Sequence, residues 1–355
     1  MKEHNRFLHK IFHFVFWPLL ILLIIEFSVP ASFFTFRGYE AIIFNTKIPH
    51  LGHFYPNSYI KMKGQGDLCH HSPNAVFREE IWITDEIGFR NESFIKNPDI
   101  IIIGSSYIYG AGLTQDDIIS RQIRNKLHDT ISVYNMSPAT LGELDFYILK
   151  KIINKPKLLI YSIGEKVPPS GFIAFDKESN SKIKNTIKDL LYSGTNETID
   201  RFTRLYCLKW LRSRINKPPN IGIKGDNTNN MFFGAAKKVK QLDDDEIEKT
   251  ISAIESMKTY CDLNGIELLI ISNPRKESVY YDKVVLPKQP DYLFKIKSSL
   301  DKKGIPFINS LDLFNKFRTH NEDLLYQLDD THWNSKGVEI VSEEIVTYIE
   351  NSELF

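Results

Sequence analysis

Apolar and polar positions separate sharply at the amino end of the chain. Residues 11–25 (IFHFVFWPLLILLII) contain no Asp, Glu, Lys or Arg and follow a flank bearing Lys2, Arg6 and Lys10. A run apolar on every side at the extreme terminus reads as a signal anchor or a signal peptide rather than a buried soluble helix. A spanning helix needs about 20 apolar residues. The span therefore extends past Glu26 toward Phe36 or sits in a locally thinned bilayer. Pro18 is tolerable in such a helix. The leading basic residues put the N-terminus in the cytoplasm and the rest of the chain outside it. Val29-Pro30-Ala31 offers a cleavage site, while the aromatic stretch SFFTF at 32–36 resembles an interfacial belt and favours an anchor over residues 1–36.

Beyond the anchor, residues 37–95 mix short apolar stretches with Gly, Pro and Asn, the pattern of a β-rich lead-in. The pattern changes at Asp99: IIIIG is the uninterrupted apolar run of a parallel strand covered on both faces. Thr114, with acids following it, is placed to cap a helix through IISRQIRNKL. Strands at ISVYNM, 157–162, IELLIIS and PFINS alternate with helices near 144–153, 244–263, 292–303 and 335–349. This alternation predicts an α/β fold, a three-layer α/β/α sandwich with a mostly parallel sheet over residues 96–350. Residues 168–243 break the rhythm. They hold amphipathic segments (IKNTIKDLLYS and IDRFTRLYCLKWLRSRI) and a polar loop, and read as an inserted helical cap.

Composition narrows the function. The 355 residues hold 45 Lys plus Arg against 44 Asp plus Glu, a net charge of +1, so no bulk cationic surplus supports nucleic-acid binding. Cys69, Cys207 and Cys261 are too few and too scattered for a disulfide scaffold or a zinc knuckle. Gly104, Gly110 and Gly112 do not form GxGxxG, and no P-loop lysine follows. His50, His53, Cys69, His70 and His71 lack metal-ligand spacing and read as loop residues, so neither a metal nor a cofactor is expected.

In an open parallel sheet, ligands bind beyond the carboxyl ends of the strands. Ser105 and Ser106 stand there, either as residues that end a strand or as a nucleophile. Asp329-Asp330-Thr331-His332-Trp333-Asn334 precedes the last helix, and there His332 either caps that helix or acts as a base oriented by a carboxylate. The two segments together favour catalysis over either bland reading.

These segments resemble the SGNH, or GDSL-like, hydrolase superfamily. The likeness covers roughly residues 80–350 and rests on TDEIGFRN (84–91), PDIIIIGSSYIYGAG (98–112), SVYNMS (132–137), NPRKESVYYD (273–282) and DDTHWNSKG (329–337). More narrowly, the chain is similar to the membrane-anchored branch that accompanies membrane-bound O-acyltransferases, including AlgX/AlgJ-like alginate acetylation proteins and the D-alanine transfer protein of teichoic acids. The resemblance implies Ser106 as nucleophile, His332 as base and Asp330 as its orienter, with Asp329 the alternative. It also implies acyl transfer to or from a cell-envelope polysaccharide, outside the cytoplasmic membrane and alongside such an acyltransferase. A catalytically silent, glycan-holding accessory of that enzyme is the competing reading.

Two family positions depart from the pattern. The second block reads Asn135-Met136-Ser137 instead of supplying a glycine, leaving Ser137 as the candidate oxyanion donor beside the Ser106 N–H. The third block reads Gly164-Glu165-Lys166 instead of supplying an Asn. Ser105 and Trp333 are candidates for substrate contact, Trp333 either stacking on a sugar or packing internally. Lys276 and Tyr280 resemble a family hallmark or are a solvated lysine beside a packed tyrosine. The basic, aromatic stretch from Arg201 to Arg214 suits a membrane surface or a partner.

Overall fold

The structure, a computed structural model, describes residues 2–44, 51–165, 168–173, 201, 203–215, 222–226, 230–234, 243–284, 286 and 289–355. Helix α1 (Lys2–Ser28) contains a stretch, His9–Ser28, long and apolar enough to cross a membrane, with mean hydropathy 2.1. Its apolar side chains find almost no partners in the protein: Phe14 is 82% exposed. The lead-in contributes an antiparallel pair, β1 (Tyr59–Gly64) and β2 (Arg78–Ile83).

The central sheet follows. Strand β3 (Ile100–Ile103) is wholly buried, as four consecutive isoleucines require of a strand covered on both faces. With β4 (Val133–Asn135), β5 (Leu158–Gly164), β6 (Glu267–Asn273) and β7 (Phe307–Ile308) it forms a parallel sheet in the order β4-β3-β5-β6-β7. Helices α2 (Ile119–Lys126), α7 (Ser310–Arg318) and α8 (Ser335–Glu350) pack as one group. A second group comprises α3 (Leu141–Leu149), α5 (Asp244–Asn264) and α6 (Tyr292–Lys302). The Tyr260 hydroxyl on α5 donates to Asp145 on α3 at 2.9 Å, and Thr250 and Tyr292 link α5 to α6 at 2.7 Å. Right-handed crossovers in opposite directions from β3 assign the groups to opposite faces, which is the expected α/β sandwich.

Local chemistry sets the helix ends. Thr140 with Glu143, and Asp243 with Glu246, form capping boxes that start α3 and α5. Thr114 does not cap α2. Its hydroxyl accepts from the Ile81 N–H of β2 at 3.2 Å, a 3-10 turn (Gln115–Asp117) intervenes, and the helix begins at Ile119. Helix α7, absent from the sequence expectation, begins at Ser310, inside the segment PFINS read as a strand, with Asn309 as its cap. Of the expected cap, helix α4 (Tyr206–Ile215) is present, while the segment IKNTIKDLLYS lies outside the described residues.

Candidate active site

Strand β3 has β4 on one side and β5 on the other, so chain direction diverges there and leaves a crevice at the carboxyl ends. Ser105 and Ser106 leave β3 at that point. Gly104 must lack a side chain, because a Cβ there would lie 2.5 Å from Ile108 and 2.7 Å from Ser162. The loop then turns through Gly110 at φ +75°, a left-handed conformation that favours glycine.

Arg90, from the TDEIGFRN segment, fixes this loop. Its buried guanidinium donates to the carbonyls of Tyr109 (2.9 Å), Gly110 (2.6 Å) and Leu113 (2.8 Å) and lies over the Trp82 ring. In the same segment Asp85 accepts from the Tyr134 hydroxyl at 2.6 Å, and Asn91 exchanges hydrogen bonds with the Asn135 backbone. The segment thus ties the ends of β3 and β4 together.

The structure brings Ser106, His332 and Asp330 into one chain of hydrogen bonds. His332 Nε2 lies 2.7 Å from Ser106 Oγ, across 226 positions of sequence, and Nδ1 lies 2.6 Å from Asp330 Oδ1. The same carboxylate oxygen accepts the His332 backbone N–H at 2.9 Å. Burial pushes the Asp330 carboxyl up, but the charge of Arg37, the hydrogen bond from His332 and the charge of Arg78 outweigh it and hold the group well below the usual carboxylate range. An ionised carboxylate only accepts, so Nδ1 carries the proton and Nε2 is left to accept from the serine hydroxyl. Asp330 therefore contacts the imidazole. Asp329, fully buried, instead accepts from Arg78 Nη1 (2.8 Å) and the N–H groups of Gly66 and Val76 (2.9 Å each), stapling the lead-in to this loop.

Residues that sequence reasoning passed over surround Asp330. Arg37 Nη2 donates to Asp330 Oδ2 at 2.6 Å and also faces Asp67 at 3.3 Å. Arg78 Nη2 reaches the same Asp330 oxygen at 3.1 Å. Asp67 accepts from the Thr331 N–H and hydroxyl at 2.9 and 2.6 Å, and Tyr107 donates to the Thr331 carbonyl at 2.8 Å. Ligand atoms of Asp67, Asp330 and His332 come within 4.8 Å of one another. Two adjacent guanidinium groups already satisfy and neutralise those carboxylates, which disfavours a cation there. Among the described residues, His53 pairs with Glu143 at 3.5 Å, Cys69 packs on Leu68 and Phe232, and His70 stacks on Phe36, with the His71 ring edge-on to His70 at 5.3 Å. His50 lies outside the described residues.

Lys276 is not solvated. It is 1% exposed and donates from Nζ to the carbonyls of Gln327 (2.5 Å), Leu328 (2.9 Å) and Asp330 (3.0 Å), holding the acid–histidine loop from below. The Tyr280 hydroxyl accepts from the Leu325 N–H at 2.9 Å in the same loop. Glu165, where the resemblance implies Asn, accepts from Arg275 N and Ser278 Oγ at 2.7 Å each; burial pushes its carboxyl up to about 7. Lys166 lies outside the described residues.

Three expected contacts need correction or placing. Ser137 is committed elsewhere: its hydroxyl donates to the carbonyls of Gly104 (2.7 Å) and Ser105 (2.9 Å), and its N–H to Asn135 Oδ1 (3.0 Å), so it has no donor left for an oxyanion. Trp333 is 1% exposed, donates to the Tyr326 hydroxyl at 3.1 Å and packs on Phe314, presenting no face to a sugar. Ser105 is exposed beside Ser106, its hydroxyl accepting from Asn273 Nδ2 at 3.4 Å. Among the described residues the Ser106 N–H meets no acceptor, so it remains available as an oxyanion donor.

Residues 229–355, which include Asp330 and His332 but not Ser106, match the model of the SGNH hydrolase-like domain of acetyltransferase AlgX. No curated protein matches the chain. Among solved structures, a GDSL-like lipase from Bacteroides thetaiotaomicron VPI-5482 is similar at 14% identity and TM-score 0.32, covering 72% of this chain and 88% of its own. The psychrotrophic esterase EstA from Pseudoalteromonas sp. is similar at 12% identity and TM-score 0.35, covering 72% and 100%. The lipase/acylhydrolase from Enterococcus faecalis is similar at 11% identity and TM-score 0.35, covering 72% and 96%. Over residues 229–355 the chain is thus similar to the SGNH hydrolase-like domain of acetyltransferase AlgX, a likeness that supports acyl transfer or ester hydrolysis in general.

Proposed function

We propose that this protein is a membrane-anchored serine acyltransferase or acetylesterase that acts on hydroxyl groups of a cell-envelope polysaccharide outside the cytoplasmic membrane. The observation that carries the reading is the unbroken link from Ser106 Oγ to His332 Nε2 (2.7 Å) and from His332 Nδ1 to Asp330 (2.6 Å). In the first half-reaction Ser106 Oγ attacks the acyl carbonyl while its proton passes to His332 Nε2. Collapse of the tetrahedral intermediate breaks the bond to the leaving group, which takes that proton and leaves an acyl-serine. In the second half an acceptor hydroxyl gives its proton to His332 and attacks the ester, and collapse returns the proton to Ser106. A sugar hydroxyl as acceptor makes the reaction a transfer, and water makes it hydrolysis. A membrane-bound O-acyltransferase is the natural source of the acyl group.

The test uses the full chain in neutral detergent with p-nitrophenyl acetate, with and without an acceptor glycan. Wild type releases nitrophenol, Ser106→Ala reduces the rate by about 10³-fold or more, and acetylated glycan accumulates only with wild type. Equal release by both proteins overturns the enzyme reading and leaves the accessory role.

A further inference from the structure

A cavity of about 540 Å³ lies between the segment that follows α1 and helix α4, within the size range of small-molecule sites. Phe34, Phe36 and Trp210 supply aromatic walls; Arg204, Lys209 and Arg212 supply positive charge. Glu40 is the only carboxylate among the described lining residues; its Oε2 accepts the Phe36 N–H at 3.3 Å, and burial lifts it to about 7. The lining is therefore cationic at neutral pH. Two further lining residues hold buried polar atoms, Thr35 Oγ1 and His71 Nδ1, that find no partner among the described residues. Such atoms normally find a partner, and here both belong to the wall of one cavity.

The height of this cavity follows from how α4 is held. Trp210 and Leu211 pack with Leu22 and Val29 at the end of α1. Glu26, in the last turn of α1, accepts the N–H groups of Tyr206 (3.0 Å) and Cys207 (2.6 Å), which caps the start of α4. Leu22 precedes the end of α1 at Ser28 by about 9 Å of helix rise. When α1 spans a bilayer, α4 and the cavity beside it lie at headgroup depth in the leaflet from which the chain emerges. The outer side of α4 agrees: Leu208 and Ile215 are 50% and 79% exposed among Lys209, Arg212 and Arg214, and Phe33 nearby is 63% exposed. Exposed apolar side chains interleaved with cations are the pattern of an interfacial helix.

We infer that the cavity binds the phosphate headgroup of an anionic phospholipid drawn from that leaflet. The inference rests on α1 being retained as a membrane span, as in the proposed function, but not on Ser106 chemistry. Cations meet the phosphate, and the aromatic rings and exposed apolar residues meet the glycerol and the first acyl carbons.

The experiment measures binding of dioctanoyl-phosphatidylglycerol, dioctanoyl-phosphatidylcholine and free glycerol 3-phosphate to the full chain in neutral detergent, by calorimetry or native mass spectrometry. Saturable one-to-one binding of phosphatidylglycerol is expected, at least tenfold tighter than of either other probe. Each cation at an anionic surface is worth about fivefold, so K209Q/R212Q should weaken it by roughly 25-fold. A control double variant on α6, K295Q/K297Q, should leave it unchanged. Equal binding of the two lipids, or no change in K209Q/R212Q, overturns the site. Glycerol 3-phosphate binding as tightly as the lipid overturns the lipid source. The mass of the mature protein reads the anchor separately: cleavage near Ala31 removes the span whatever binds, and neither result depends on ester hydrolysis.

Discussion

Arg37 is the most informative residue to perturb, because it joins the segment leaving α1 to the carboxylate that orients His332. Arg37 is 3% exposed and its guanidinium lies 2.6 Å from Asp330 Oδ2, while Asp330 itself has no exposure. Arg37→Met leaves a buried carboxylate with fewer partners. Breaking such a pair costs about 3–5 kcal/mol when nothing else remains. Arg78 at 3.1 Å and the Asp67 N–H at 3.3 Å still face the same oxygen, so a loss near the low end, about 3 kcal/mol, is expected. The freed carboxylate can also rotate, and misplacement of a catalytic group by about 1 Å costs on the order of 10²-fold in rate. In p-nitrophenyl acetate hydrolysis by the full chain, kcat should fall about 10- to 100-fold with KM unchanged. Urea titration supplies the stability change, and Arg37→Lys should recover part of both. A chain shortened to begin after Arg37 loses the same contact and should show the same fall in kcat, whereas one beginning at Ala31 keeps it. An Arg37→Met protein with wild-type kcat and wild-type urea midpoint refutes the positioning role.

Two more outcomes separate roles within the acid–histidine loop. Asp330→Asn should lower kcat by about 10³- to 10⁴-fold through loss of the productive imidazole tautomer. Asp329→Asn, whose carboxylate holds Arg78 and two backbone N–H groups, should lower the urea midpoint more than the rate of the folded protein; the reverse ranking in paired kinetic and denaturation measurements rejects the assignment. Burial pushes the Lys276 ammonium down to about 8 against the opposing pull of Asp330, Glu277, Asp329 and Asp67, so activity should decline as pH rises through 8 and one of the three carbonyls loses its donor. Between about 8 and 10.5 the unfolded chain holds this proton more tightly than the fold does, so this group adds stability as pH rises; the decline should come without unfolding and vanish in Lys276→Met, and a midpoint that falls in step with activity contradicts it.

What was legible in the sequence was what local pattern encodes. Four isoleucines between Asp99 and Gly104 can satisfy water on neither face, so β3 and the serines beyond it were readable. The acid–histidine loop was readable because two adjacent carboxylates precede His332 just before an apolar-periodic helix. Helix α7 was missed because Asn309 is the only residue separating it from β7, leaving no turn to mark the boundary. That omission carried over to Trp333, whose packing partner Phe314 sits on α7. Arg37, Arg78 and Asp67 were not legible for a different reason. Their partners lie 293, 252 and 264 positions away, and periodicity reports whether a position is buried, never what a buried charge meets. Those unread contacts all run from the lead-in to the Asp330 loop, which makes the lead-in part of the site rather than a spacer. Ser28 ends α1 and Arg37 already touches Asp330. An extended chain covers at most about 3.6 Å per residue, so the Arg37 backbone stands within roughly 32 Å of the end of α1 and the Asp330 carboxylate within roughly 40 Å, one arginine side chain farther. With α1 in a bilayer and a polymer as acceptor, as in the proposed function, the acceptor hydroxyl must come to that height, and modification should fall on polymer near the membrane before it extends outward; acylation confined to segments held well beyond that reach would contradict the tether.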